Sequence, residues 1–101
     1  MIVEYLRYTV PAEQATQFEQ AYEKAAEPLL ASPNCLGYDV ARCTEDPTSY
    51  IVRIHWDSPE GHLEGFRKGP EFPRFFALVK PFFQAIVEMR HYEIAGSRRL
   101  G

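Results

Sequence analysis

His62 stands six residues after Trp56, the chain's one tryptophan, and the sequence has three histidines, His55, His62 and His91. An imidazole has a reference pKa of about 6.5, so near neutral pH it can take a proton from a phenol or an activated C–H bond. An indole offers a flat wall on which a planar ligand can stack. Together they suit the binding and deprotonation of a planar aromatic ligand. His62 is therefore the expected catalytic residue, and the competing reading places it on the solvent side of a short helix. Trp56, Phe66 and Phe76 are the expected pocket wall, with core packing as their alternative role. Tyr5 is expected either to donate a hydrogen bond in the pocket or simply to suit a strand. Arg53 either stabilises a substrate phenolate or carboxylate or, like Arg7, joins an ion pair with Glu4, Glu88 or Asp39.

Other chemistries lack their marks. The histidines show no H-x-H or HExxH spacing and fall on different elements, so no metal site is expected. Without a Gly-rich phosphate loop or a G-x-S-x-G elbow, neither flavin and nicotinamide binding nor serine hydrolysis is indicated, and the expected cofactor is none. The net charge is −3 and the basic cluster is only Arg98-Arg99, which argues against nucleic acid as a partner. No apolar run is long enough to cross a membrane, and MIVEYLRYTV alternates where a signal segment would be continuously apolar. No membrane association and a cytoplasmic location are therefore expected. Cys35 and Cys43 fit that setting, since they form no CxxC and, at opposite ends of one strand, would lie far beyond disulfide reach.

The elements that must position these residues follow from periodicity. Ile2 to Val10 alternates as a strand, with Ile2, Leu6, Tyr8 and Val10 on one side and Val3, Tyr5, Arg7 and Thr9 on the other. Phe18, Tyr22, Ala25 and Leu29 form a helical stripe after Pro11, and Pro28 is expected to kink or close that helix. Leu36 to Cys43 and Tyr50 to Asp57 read as strands joined by Glu45-Asp46-Pro47-Thr48-Ser49. Ser58-Pro59-Glu60 is a helix start, Gly69-Pro70 a break, and a further helix turns Phe72, Phe75, Phe76, Val79 and Phe82 inward. Ala85 to Glu93 is the last strand.

At 101 residues the chain has room for one domain, expected over residues 1–94, with residues 95–101 as a mobile tail. The order β-α-β-β-α-β is the ferredoxin-like α+β arrangement, an antiparallel four-stranded sheet with helices on one face. The other face keeps enough apolar and aromatic residues to call for a partner, so a homodimer is expected.

That order, the strand ending in His55-Trp56-Asp57-Ser58, and the later Phe66-x-x-Gly-Pro-Glu-Phe72 with Phe75-Phe76 resemble the antibiotic biosynthesis monooxygenase family. The resemblance implies a dimeric α+β barrel whose two sheets face one another, each subunit with a pocket between sheet and helices. It implies oxygenation of a small aromatic, a quinol or an anthrone, without metal or flavin; related branches degrade haem or have no known activity. Trp56 matches the strand-end tryptophan that lines the pocket, and His62 falls where the anthrone-oxidising branch has a tyrosine. Val52 replaces that branch's asparagine, and Phe66 replaces a histidine found in many members, including the haem degraders. These departures keep two other expectations open: a non-catalytic dimer that binds a small apolar molecule, and, with His55 and His62 as substitute ligands, a haem-handling protein.

Overall fold

Alternation in Ile2–Thr9 (β1) and Ser49–Trp56 (β3) sends Leu6, Tyr8, Tyr50, Val52, Ile54 and Trp56 to one side, where all are buried. In the computed structural model, which describes residues 1–97, these strands are the middle pair of a four-stranded antiparallel sheet. Cys35–Arg42 (β2) and Ile86–Glu93 (β4) form its edges, giving the order β2-β3-β1-β4 of the expected ferredoxin-like fold. Register sets Glu4 beside Ile54 on one neighbour and beside His91 on the other. The expected tail lies partly outside the described residues, as do Arg98 and Arg99.

Ala15–Ala31 (α1), entered through a 3-10 turn at Ala12–Gln14, lays Phe18, Tyr22, Ala25 and Leu29 on the sheet, as their spacing requires. Pro28 does not close the helix at once. It sits buried inside α1, three residues before the end at Ala31, where losing one bond to the carbonyl of Lys24 costs only part of the last turn. Ser58 caps the next helical stretch as expected, its Oγ accepting the Gly61 N–H at 2.9 Å. That stretch continues as a π-helix, Gly61–Phe66, and after the Gly69-Pro70 break comes Phe72–Val79 (α2) with Pro73 in its first turn. No helix among the described residues is long and apolar enough to cross a membrane.

The core is built from rings. Tyr8 and Tyr22 share a buried hydroxyl–hydroxyl bond of 2.6 Å, and Phe18 packs against both. Burial pushes the Tyr8 phenol up to about 12 and raises Tyr22 as well, so both remain neutral bond partners. Tyr38 adds a bond to the Tyr22 carbonyl at 3.0 Å, tying β2 to α1.

The opposite sheet face carries Tyr5 edge-on to Tyr92, with ring centroids 6.0 Å apart, among half-exposed ion pairs. Arg53 grips Asp39 through two bonds of 3.0 and 2.7 Å, and Arg7 reaches Glu88 at 3.5 Å. Of the three acids considered as partners for these arginines, Glu4 alone turns to the other side. Cys35 and Cys43 are free thiols.

Tyr22→Phe leaves the Tyr8 hydroxyl buried without its partner and should cost about 1–3 kcal/mol in urea unfolding. The double change with Tyr8→Phe should cost less than the sum of the singles. Strictly additive losses would show that the bond contributes nothing.

Candidate active site

Glu4 occupies a position of β1 that alternation assigns to the apolar interior, and it is 6% exposed. A carboxylate so placed needs partners. The indole Nε1–H of Trp56 donates to its Oε1 at 3.1 Å, and His62 Nε2 lies 3.3 Å from the same oxygen. The other nitrogen of His62, Nδ1, is 3.1 Å from Nε2 of His91, an exposed residue of β4. His62 itself is 4% exposed and stacks flat on Trp56, with centroids 4.7 Å apart and planes 8° apart. The result is a line of polar atoms running from the interior to the surface.

The π-helix aims His62 into this line. Arg67 N–H bonds the His62 carbonyl, five residues back, at 3.1 Å, so the turn holds one residue more than an α-turn. That wider turn buries His62 and Phe66 together and brings Arg67 to the wall of the cavity. The segment lies close on Asn34: a Cβ at Gly61 would collide with the Asp57 carboxylate, and one at Gly65 with the Asn34 amide. Asn34 also donates to Asp57 at 3.0 Å and accepts the Asp57 N–H at 3.0 Å, locking the end of β3 to the helix start.

A cavity of about 50 Å³ opens beside these groups, lined by Glu4 and His62 and by Leu6, Phe66, Phe75, Val79 and Met89 among others. A larger groove of about 570 Å³ along α1 and β2 is open to solvent and holds none of the three histidines; the buried line of polar atoms opens on the small cavity instead.

Burial dominates the electrostatics. It pushes Glu4 up to about 7, against the lowering effects of the Trp56 bond and the Arg67 charge. It pushes His62 down to about 4, assisted by His91 and Arg67. Near neutrality His62 is therefore an uncharged imidazole, and Glu4 is near its midpoint. With Glu4 ionised, His62 donates from Nε2 to Glu4 and accepts at Nδ1 from His91. With Glu4 protonated, the donors reverse: Glu4 donates to Nε2, and Nδ1–H donates to His91. One proton can thus move along the line without His62 becoming a buried cation.

Glu4, His62 and His91 also have the composition of a divalent-metal site, with ligand atoms within 4.8 Å of one another. Their geometry suits proton exchange better. Glu4 and His91 face different nitrogens of His62, whereas a metal takes one, and Arg67 adds a positive charge beside them.

Of the residues expected from sequence, His62 and Phe66 line the cavity, and Trp56 stands behind His62 and holds it in place. Phe76 lies outside the lining, stacked on Phe72 at 5.6 Å and edge-on to Phe83 at 5.0 Å. Tyr5 and Arg53 belong to the opposite face, because alternation sends Glu4 and Ile54 inward and their neighbours outward. Sequence reasoning missed Glu4 and His91. The available signal was the carboxylate itself, set within the stripe Ile2, Leu6, Tyr8 and Val10.

A raised carboxyl pKa means that the folded protein holds the proton more tightly than the unfolded chain. The stability from Glu4 is full below its ordinary value of 4.5 and is lost as pH rises through about 7. Glu4→Gln keeps the oxygen that accepts from Trp56 and removes the titration. The variant should therefore gain on the order of 3 kcal/mol relative to wild type between about pH 4.5 and pH 8. Denaturant unfolding at several pH values reads this difference, and a flat difference would mean that Glu4 titrates normally.

The comparisons with known proteins agree with this architecture. The Bacillus subtilis protein YczJ, which is uncharacterised, is 26% identical over 77 residues, covering 76% of this chain and 81% of its own length. A Bordetella bronchiseptica structure that carries the antibiotic biosynthesis monooxygenase name superposes with a TM-score of 0.76 at 22% identity, covering 93% of this chain and 96% of that one. A mutant of SnoaB, a cofactor-independent oxygenase from Streptomyces nogalater, gives a TM-score of 0.76 at 18% identity, covering 95% and 94%. At such identities the two structures speak for the fold alone. The family model described as antibiotic biosynthesis monooxygenase matches residues 1–78, from β1 almost to the end of α2, and the chain belongs to that family.

Proposed function

We propose that the protein is a cofactor-independent monooxygenase of a small aromatic, quinol-like or anthrone-like substrate. The observation that carries this reading is the Glu4–His62 pair, closed inside an apolar cavity and linked to solvent through His91. Glu4, with its raised proton affinity, is a stronger base than an ordinary carboxylate, and it accepts the substrate proton. His62 holds Glu4 in place and hands the proton on to His91. The substrate anion then gives its electrons to O₂, and the resulting hydroperoxide loses water. At an anthrone CH₂ the balance is CH₂ plus O₂ giving C=O plus H₂O; a quinol plus O₂ gives the hydroxyquinone plus H₂O, and in both cases the substrate is the reductant.

A non-catalytic ligand-binding protein of the same fold is the second reading, favoured by Val52 and Phe66. Both are buried where relatives carry polar side chains by the resemblance drawn from the sequence. A haem fits less well, since Phe66 offers no ligand where many relatives have a histidine by the same resemblance. The assembly in this proposal is a homodimer joined through the sheet face that carries Tyr5 and Tyr92, in a cytoplasmic setting suited to two free cysteines. In that dimer Tyr5 and Arg53 lie at the interface.

Oxygen uptake by metal-stripped protein, offered a panel of hydroquinones and anthrones, tests the proposal. Wild type should turn over at least one of them. Glu4→Gln and His62→Ala should lose roughly 100-fold or more, the scale of a removed general base. His91→Ala should lose less and recover in imidazole buffer. Binding without uptake would favour the second reading, and activity appearing only with added zinc or iron would return the three residues to metal chemistry.

A further inference from the structure

Arg67 is a cation on the wall of a cavity that is otherwise mostly apolar. The π-helical bond to the His62 carbonyl fixes its backbone, and its guanidinium lies 5.7 Å from the centre of the Phe72 ring, another lining residue. Its charge reaches both Glu4 and His62, so it stands close to the reacting end of the site. Among the described residues no carboxylate lies within ion-pair distance of it. Glu64 is engaged by Lys68 at 2.7 Å and Glu27 by Arg74 at 2.8 Å. Glu4 is held by Trp56 and His62. A guanidinium presents a fork of donors suited to a carboxylate, and here that fork has no protein acid to fill it.

Size narrows the ligand further. The cavity of about 50 Å³ is well below the roughly 150 Å³ known to admit benzene, so any ring requires the wall to move. Met89 and Phe83 are 46% and 42% exposed and can shift at little cost. Phe75 and Val79, at 8% and 0%, are core, and admitting fused rings would mean displacing them.

We propose that the site takes single-ring aromatics bearing a carboxylate, which Arg67 binds while the ring is turned toward Glu4 and His62. This deepens the reading of the cavity as the substrate site and rests on it. Such an anion also offsets the positive field that opposes protonation of Glu4, so binding itself strengthens the base.

The test compares hydroquinone with 2,5-dihydroxybenzoate, the same ring with a carboxylate, by titration calorimetry on the wild type, Arg67→Met and Arg67→Lys. The wild type should bind the carboxylate about tenfold or more tighter, Arg67→Met should lose the preference, and Arg67→Lys should keep part of it. The ratio of the two affinities within each protein is the readout, so a change in the wall that both rings share cancels. Arg67 is exposed, so the variants should fold, and their thermal transitions verify that. Equal affinity for the two ligands in wild type, or a preference that survives in Arg67→Met, overturns the proposal. Because the readout is binding, a carboxylate preference without oxygen uptake upholds Arg67 and rejects the oxygenase. Uptake of neutral quinols without any preference does the reverse.

Discussion

A carboxyl group confined among apolar side chains is the constraint around which this molecule is arranged. Isolated there, Glu4 would cost several kcal/mol, and the fold answers with an indole donor, an imidazole and a raised proton affinity. Each partner comes from a different part of the chain: Trp56 from the end of β3, His62 from the π-helix, His91 from β4. Removing any of them leaves a buried polar atom exposed to the full penalty. The site is therefore also a structural joint between the sheet and the helical layer.

That joint explains features that are otherwise costly. A π-helix has poorer hydrogen bonding than an α-helix and persists here because it directs His62 onto Trp56 and leaves Arg67 at the cavity wall. Two glycines let the segment lie against Asn34, and the Asn34–Asp57 pair anchors it to the strand that supplies Trp56. The tyrosine pair beneath α1 keeps the remaining core neutral, so the charge-bearing chemistry is confined to one end of the sheet.

Much of this frame was legible in the residues. Tyr50, Val52, Ile54 and Trp56 alternate, Phe18 to Leu29 repeat at helical spacing, and Ser58-Pro59 announces its cap; each rests on local geometry that a sequence carries directly. The boundaries of β2 were shifted by one residue, because a bulge between Cys35 and Gly37, with Gly37 at φ 147°, offsets its pairing. The site was less legible. His62 was identified, yet its direction depends on a π-turn that a 3.6-residue period does not describe. The meeting of Glu4 with His91 depends on the β1–β4 register, a pairing between opposite ends of the chain. Tyr5 and Arg53 were grouped with His62 by chemical type, whereas strand alternation separates them by the thickness of the sheet. Pro28 shows the same limit, since burial against the core sustains a helix that local preference would end.

On this arrangement Glu4 carries the titratable proton near neutrality while His62 stays uncharged. Carbon-13 NMR of the Glu4 carboxyl together with nitrogen-15 NMR of the imidazoles, followed from about pH 4 to pH 8, measures both directly. The Glu4 carboxyl should titrate near 7, and His62 should remain neutral until well below pH 5. A His62 ring that charges near its ordinary 6.5, beside a Glu4 already ionised at pH 5, would make the pair a plain ion pair with no proton to relay.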